Sequence, residues 1–399
     1  FIASINKNLG ESVSLQAAIG TSGTKNVNAT TSQSSYLAAN PGSFLNPFTI
    51  LRSGMYYPNY FSADNLKPGF YHGESTNQQL SQAVFATATI GIKNMIFLDV
   101  TGRNEWSSTL PNPRKNPFFY PSVGLSYVLT ESVKPNAVLS FAKLRGTYAQ
   151  VGNALPFGVA NPNPPFSVKP DGVINPTLAK PLGELVPERT SSFEFGFDAR
   201  FFKDHFTLNY TYYKSLTKDQ LFTIIAPPGA GTQLYYVNGG DISNRGFELN
   251  ASYRTSVING FSWETGINSS KNTNKVIKLS DKLDGDQVVI SAMSQTKIYQ
   301  LVVKKDGAYG DMYGTIFKRD DAGNIVKDAN GRPVVAAGQD HYLGNANPKL
   351  LLGWSNTFFY KGVSLKLLVD GRFGGQVASV TDALLDQKGL SQRTADARD

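Results

Sequence analysis

PERTSSFEFGFDARFFKDHFTLNYTYYKSLTKDQ, residues 187–220, is the stretch whose reading decides the fold. From Phe193 every second side chain is apolar (Phe193, Phe195, Phe197, Ala199, Phe201), with Glu194, Gly196, Asp198 and Arg200 between them. A period of two sends successive side chains to opposite sides of a β-strand. After Lys203-Asp204-His205 the alternation resumes, with Phe206, Leu208, Tyr210 and Tyr212 on one face and Thr207, Asn209, Thr211 and Tyr213 on the other. This is an antiparallel hairpin with an aromatic-rich apolar face and a charged polar face. A soluble sandwich buries the first against another sheet, whereas a membrane barrel turns it to lipid and the polar face to its lumen. The hairpin alone admits both.

Composition narrows the field. Charged residues make up 17% of the 399, below the roughly 25% usual in soluble domains. Glycine (37), phenylalanine (25) and tyrosine (19) are frequent. No apolar run approaches the ~18 residues of a membrane-spanning helix. The chain opens on strand-like FIASINKN rather than a secretory leader, so whatever came first is expected to have been removed by processing or truncation. Cysteine is absent, which excludes disulfide staples and thiolate metal sites. The formal charge of +8 is spread thinly, and no nucleic-acid partner is expected.

Outward from the hairpin, similar pairs recur. Strands are predicted near 1–9 and 12–20, 80–90 and 95–104, 117–129 and 138–150, 243–254 and 260–271, and 346–358 and 363–374. In them Ile96, Leu98 and Val100 oppose Asp99, Thr101 and Arg103; Leu144 opposes Lys143 and Arg145. Phe247, Leu249, Ala251 and Tyr253 oppose Glu248, Asn250, Ser252 and Arg254, and Phe261, Trp263 and Ile267 oppose Glu264 and Asn268. That makes about twelve strands. Short connections alternate with long ones at about 22–79, 151–187, 216–242 and 274–345, the third with short strands expected at Leu221–Ile225 and Gln233–Val237. In an antiparallel meander this places tight turns at one end and large loops at the other, as in an outer-membrane barrel. Aromatic clusters beside the turns (Phe201, Phe202, Phe206; Phe358, Phe359, Tyr360) suit interfacial girdles. The pattern favours an all-β, antiparallel transmembrane barrel, which must close because hydrocarbon tolerates no open sheet edge.

No catalytic constellation stands out, and no enzymatic activity is expected. His72, His205 and His341 are scattered without metal-ligand spacing. Glu194 and Asp198 imitate a glycosidase carboxylate pair but read better as wall residues. In KRDDAGNIVKDANGRPVV the oxygens of Asp320, Asp321, Asp328 and Asn330 are of the kind calcium takes. Their spacing is not that of an EF-hand, and Asp and Asn are ordinary turn residues, so a small hairpin is expected there and no cofactor.

Several motifs carry a family resemblance: FLDVTGRNEWSSTLP (97–111), FFYPSVGLSYVLTE (118–131), KLRGTYAQVGN (143–153), PERTSSFEFGFDARFF (187–202), YVNGGDISNRGFELNASY (236–253) and YLGNANPKLLLGWSNTFFYKGVSLKLLVDGRFGG (342–375). Together they resemble the SusC/RagA group of TonB-dependent outer-membrane transporters of Bacteroidota. The resemblance implies a barrel of about 22 strands around an N-terminal plug, of which residues 1–399 supply about twelve from its later part, without the plug. It also implies active import of oligosaccharides or peptides, energy from TonB, a SusD-like surface lipoprotein as lid, and a dimer of such pairs. Lumen- or plug-facing positions are then Asp99, Arg103, Lys143, Arg145, Glu194, Asp198, Arg200, Glu248, Arg254 and Glu264. Aromatic candidates for substrate or lid contact on the outer loops are Tyr57, Tyr60, Tyr71, Phe157, Tyr235, Tyr236, Tyr309, Tyr313 and Tyr342. The periodicity by itself leaves two other functions open, a passive porin and a secreted β-sandwich for carbohydrate binding or adhesion.

Overall fold

The computed structural model describes residues 1–35, 70–110, 117–160, 166–168, 174–176, 179–227, 229–283, 285–291, 299–338 and 340–396. Two compact units divide the chain, one of residues 1–22 and 82–399, the other of residues 23–81. The strands in chain order are β1 (Ile2–Asn8), β2 (Val13–Ser35), β3 (Phe70–Ile92), β4 (Ile96–Ser107), β5 (Phe118–Val128) and β6 (Leu139–Asn153). Short pieces β7 (Phe166–Val168), β8 (Ile174–Pro176) and β9 (Ala179–Pro181) precede β10 (Glu188–Phe201), β11 (Phe206–Ile225), β12 (Leu234–Arg254) and β13 (Phe261–Leu279). Then come β14 (Gln287–Ser291), β15 (Tyr299–Lys304), β16 (Asp311–Gly314), β17 (His341–Asn345), β18 (Leu350–Tyr360) and β19 (Val363–Phe373). Two helices complete the order, α1 (Val380–Gln387) and α2 (Gln392–Asp396). Among the described residues no helix is long and apolar enough to cross a membrane, which does not bear on crossing by strands.

All twelve expected strands are present, hydrogen-bonded in the order β1-β2-β3-β4-β5-β6-β10-β11-β12-β13-β18-β19. Directly opposed residues share a face, so the register shows whether the alternation carries across the sheet. It does. Phe197 lies opposite Leu144 and Tyr210, and Tyr210 opposite Leu249. One residue along, Asp198 lies opposite Lys143 and Asn209, and Asn209 opposite Asn250.

A sandwich would bury the apolar face. Instead Phe193 is 52% exposed, Phe195 44%, Ile267 46% and Val369 60%. Polar atoms on this face find partners within it. Trp263 Nε1–H donates to Asn356 Oδ1 at 3.1 Å, and Trp354 Nε1–H to Thr265 Oγ1 at 3.0 Å. An indole N–H turned to lipid without an acceptor would be costly. Next to the turns the aromatic rings form a belt: Tyr253 meets Trp263 edge-on, Trp263 stacks on Phe358, and Phe201 packs on Phe206.

The turns fit their residues. Lys93-Asn94, Asn259-Gly260 and Lys361-Gly362 all adopt positive φ, the backbone of two-residue hairpin turns whose twist matches that of the strands. At the opposite end the strands run further than expected. β11 reaches Ile225, β12 begins at Leu234 and β13 ends at Leu279, so most of 216–242 is strand rather than loop. The part of 274–345 beyond β13 contributes a second, smaller sheet, β14-β15-β16-β17. The buried core sits at this end. Phe222, Val237, Ile242, Val276, Val288 and Val303 form one cluster, and Leu110, Phe118, Leu155, Val159 and Leu185 another.

Candidate functional site: the polar wall and its outer recess

The polar face of β4–β13 is wired across strands. Arg145 on β6 donates from Nη2 to Thr211 Oγ1 on β11 at 2.6 Å, and its Nε lies 3.5 Å from Asp198 Oδ2 on β10. Asn209 Nδ2 donates to the other Asp198 oxygen at 2.9 Å. Gly196 makes room for this, since a Cβ there would lie 2.7 Å from Arg145 Cζ. Toward the short turns Arg254 donates twice to Glu264 Oε2, at 3.0 and 2.7 Å. Arg103 does the same to Glu105, which shares its strand face but lies just past the strand end expected at 104. Asp99 accepts from Thr89 Oγ1 at 2.6 Å. Arg200 sits 3.7 Å from Asp204 and over the Phe141 ring. Among the described residues Lys143, Glu194 and Glu248 make no ion pair.

Above this wall a recess of about 1200 Å³ opens between β11–β13 and the small sheet. Carboxamides are frequent in its lining, with Asn244, Asn272, Asn274, Asn345 and Asn347 joined by Tyr213, Glu248, Asp311, Tyr309 and Tyr342. They hold one another in place. Asn244 Oδ1 accepts from Asn272 Nδ2 at 3.0 Å and from Asn274 Nδ2 at 2.9 Å. Tyr213 donates from its hydroxyl to Asn272 Oδ1 at 3.2 Å. Asn274 Oδ1 accepts the Tyr309 N–H at 2.7 Å, and Asn347 Nδ2 donates to the Tyr309 carbonyl at 2.9 Å. Asp311, only 5% exposed, accepts from Asn345 Nδ2 at 2.8 Å and from the Ala308 N–H at 2.8 Å. The result is a rigid polar floor with aromatic rings on its rim.

Three expected loop aromatics meet here. Tyr309 and Tyr342 line the recess, and Tyr313 packs edge-on against Tyr342 with centroids 5.7 Å apart. Burial, with the nearby Asp311 carboxylate, raises the phenol pKa of Tyr313 and of Tyr342 above the usual value, so both stay protonated hydrogen-bond donors. The others lie elsewhere. Tyr235 packs on one core cluster with Lys180 over its ring, Tyr236 packs on the other, and Phe157 is exposed in the connection after β6. Tyr57 and Tyr60 lie outside the described residues, as does the side chain of Tyr71. The asparagines were not anticipated from the sequence. Part of their signal was there in Asn272-Thr273-Asn274 on β13, because an N-x-N spacing puts both carboxamides on one strand face, whereas Asn345 closes β17 and Asn347 lies past it.

The calcium candidates are engaged in their own turns. Asp320 Oδ1 accepts from the Ala322 and Asn324 N–H groups, and Asp328 Oδ1 from those of Asn330 and Arg332. Among the described residues no three His, Cys, Asp or Glu side chains are grouped to hold a metal.

A lipid-facing apolar sheet with tight turns at one end, extended loops at the other and a hydrogen-bonded polar wall defines an outer-membrane β-barrel protein. The family model described as "TonB dependent receptor-like, beta-barrel" matches residues 6–350, and the chain belongs to that family. It is 24% identical over 385 residues to TonB-dependent receptor P3 of Formosa agariphila, covering 90% of this chain and 38% of that one. Identity is also 24% to the TonB-dependent receptor SusC of Bacteroides thetaiotaomicron, over 61% of this chain and 26% of SusC. The structure of the RagAB peptide transporter superposes with a TM-score of 0.71 at 17% identity, covering 92% of this chain and 40% of that one. These matches agree with the SusC/RagA resemblance of the sequence motifs. The chain spans about two fifths or less of each of these relatives.

Proposed function

We propose that the protein forms part of the wall and outer mouth of an active importer, and that the asparagine–tyrosine recess is where its cargo first rests. The observation that carries this is the recess itself. Preset carboxamides offer donors and acceptors to hydroxyl and amide groups, while tyrosine rings give flat apolar faces for sugar rings or peptide side chains. The cargo class is an oligosaccharide or a peptide, both of which present such groups. The protein performs no chemistry on it and needs no metal. Import draws on TonB, and a surface lipoprotein of the SusD type covers the mouth; a relative named SusC and a neighbour described as RagAB support both. Uptake of labelled oligosaccharide and peptide mixtures by cells carrying the intact transporter tests the proposal. Collapse of the proton gradient should abolish uptake, and Asn272→Ala with Tyr342→Ala should reduce it at least several-fold. Uptake that persists without the gradient would instead mark a passive porin.

A further inference from the structure

On each of β10–β13 the first charged residue met on the outward face beyond its apolar run is basic. On β11 the outward positions read Phe206, Leu208, Tyr210, Tyr212, then Lys214, Leu216 and Lys218. On β12, read from the turn, they are Tyr253, Ala251, Leu249 and Phe247, then Arg245. On β13 the change falls at Lys271, and on β10 at Arg189, above Phe193 and Ser191. The apolar run Phe193–Phe201 climbs roughly 26 Å along the strand, about 20 Å of depth at the usual tilt, which fills most of a lipid band. Along the register the change point falls by four residues from β10 to β11, stays level from β11 to β12, where Lys214 faces Arg245, and falls by two from β12 to β13. A level plane crossing strands tilted ~40° and ~4.8 Å apart falls about 4 Å per strand, so a net fall across the four strands is expected of a membrane boundary. Arg189, Lys214, Arg245 and Lys271 therefore mark a band a few residues deep in which the apolar face gives way to charge, at the outer edge of the hydrocarbon.

Their pairing is unfavourable within the protein. Lys214 lies directly opposite Arg245, and Arg189 directly opposite Lys218, and like charges so placed repel. All five basic side chains are exposed, and among the described residues none of them has a carboxylate partner. Further up β13 the chain does supply one, where Lys275 pairs with Asp306 at 2.8 Å. Asp241, beyond Arg245, accepts the Asp219 N–H at 3.4 Å. Two opposed cationic pairs at a membrane surface call for an anion from the membrane.

We infer that Lys214, Arg245, Arg189, Lys218 and Lys271 form a binding face for the phosphate-bearing headgroup of an outer-leaflet lipid, whose acyl chains lie along Tyr212, Phe247, Phe193 and Phe195. Arginine and lysine at this level bind phosphate oxygens by charge-assisted hydrogen bonds. The headgroup thereby turns two repulsive cross-strand pairs into a bridged cluster. This goes beyond the import reading and does not depend on the cargo.

The intact transporter in lipid discs tests it, with discs of phosphatidylcholine alone, with added bis-phosphorylated lipid A, or with the same lipid dephosphorylated. Phosphorylated lipid A should raise Tm by several degrees and remain bound in native mass spectrometry. K214Q/R245Q should lose both effects, while K327Q, on the outer hairpin, should keep them. In phosphatidylcholine alone K214Q/R245Q should be at least as stable as the parent, because a repulsive pair is gone, and this also reports on folding. Should that variant fail to fold, R189Q/K218Q carries the same test. Equal Tm rises in parent and variant, an equal rise with dephosphorylated lipid, or displacement of the lipid by inorganic phosphate at matched concentration would each overturn the assignment. So would protection of Lys214 by a bound protein in place of lipid.

Discussion

Arg145 shows how single residues hold the polar wall. Its guanidinium reaches across β10 to Thr211 and rests beside Asp198, above the bare backbone of Gly196. Truncating it leaves the Asp198 carboxylate with Asn209 as its remaining donor. Arg145→Met should therefore cost roughly 1–2 kcal/mol, the range for a lost hydrogen bond to a charged group in a half-buried setting. Gly196→Ala should cost a similar amount for the opposite reason, since its Cβ would meet Arg145 Cζ at 2.7 Å and the Tyr210 carbonyl at 2.9 Å. Because the two changes compete for one volume, the double variant should be less destabilised than the sum. Thermal unfolding of the refolded barrel in detergent checks all three, and strict additivity would show that the guanidinium does not occupy that space.

At the scale of the element, facing decides everything, and it can be tested by one pair of neighbours. Leu249 stands on the outward face of β12 in the same row as Phe197 and Tyr210, whereas Asn250 faces inward beside Asn209. Leu249→Arg should destabilise the folded barrel by about 2–4 kcal/mol, the cost of an arginine near the bilayer midplane, and Asn250→Arg by far less. A soluble sheet with Leu249 in contact with water would show little difference.

Facing was also what the sequence made legible, and only where the two faces differ. β10 and the lower half of β11 alternate cleanly because lipid and lumen demand opposite chemistry. Above Thr217 that contrast vanishes. The register shifts on both sides of Gln220 reset the alternation, so that Phe222 and Ile224 join the core cluster with Val237 and Ile242. A period-two pattern interrupted by bulges reads as a loop, so the upper parts of β11 and β12 read as short separate strands at Leu221–Ile225 and Gln233–Val237, and that of β13 as connection. The charged wall was readable from alternation. The recess was legible only in the Asn272–Asn274 spacing on β13, because the pairings that bring Asn244 of β12, Asn345 of β17 and Asn347 of the connection before β18 to it are encoded by no local spacing.

The outer hairpin offers a pH-dependent case. The backbone N–H of Asn324 is the main cause holding the Asp320 carboxyl below its ordinary pKa, with the Asn324 side chain and the Ala322 and Gly323 N–H groups adding to it. A carboxylate lowered in the folded state contributes its stability above the unfolded pKa of about 3.9 and loses it as pH falls through the lower folded value. Amide exchange of Ala322 and Asn324, corrected for the intrinsic pH dependence, should thus show constant protection at neutral pH and a loss only in that acidic window. Asp320→Asn, which keeps one acceptor oxygen but no charge, should flatten the profile.

For the whole molecule the telling feature is the pair of sheet edges. Among the described residues β1 pairs with β2 alone and β19 with β18 alone, while every strand between them has two neighbours along the path and β12 also pairs with β9. Both carry large exposed apolar side chains, Ile2 and Ile5 on β1, and Leu365, Leu367 and Val369 on β19. In hydrocarbon each unpaired N–H and C=O would cost several kcal/mol, so these edges need further strands before the sheet can sit in a bilayer. Expressed by itself, residues 1–399 should neither insert as a heat-modifiable monomer nor resist protease in outer-membrane vesicles. It should associate through its edges instead. Supplying the flanking strands of a full-length relative on either side should restore both properties. Stable monomeric insertion of the isolated stretch, with the N–H groups of β1 and β19 protected from exchange, would mean that the two edges pair with each other, and that twelve strands are enough to close the wall.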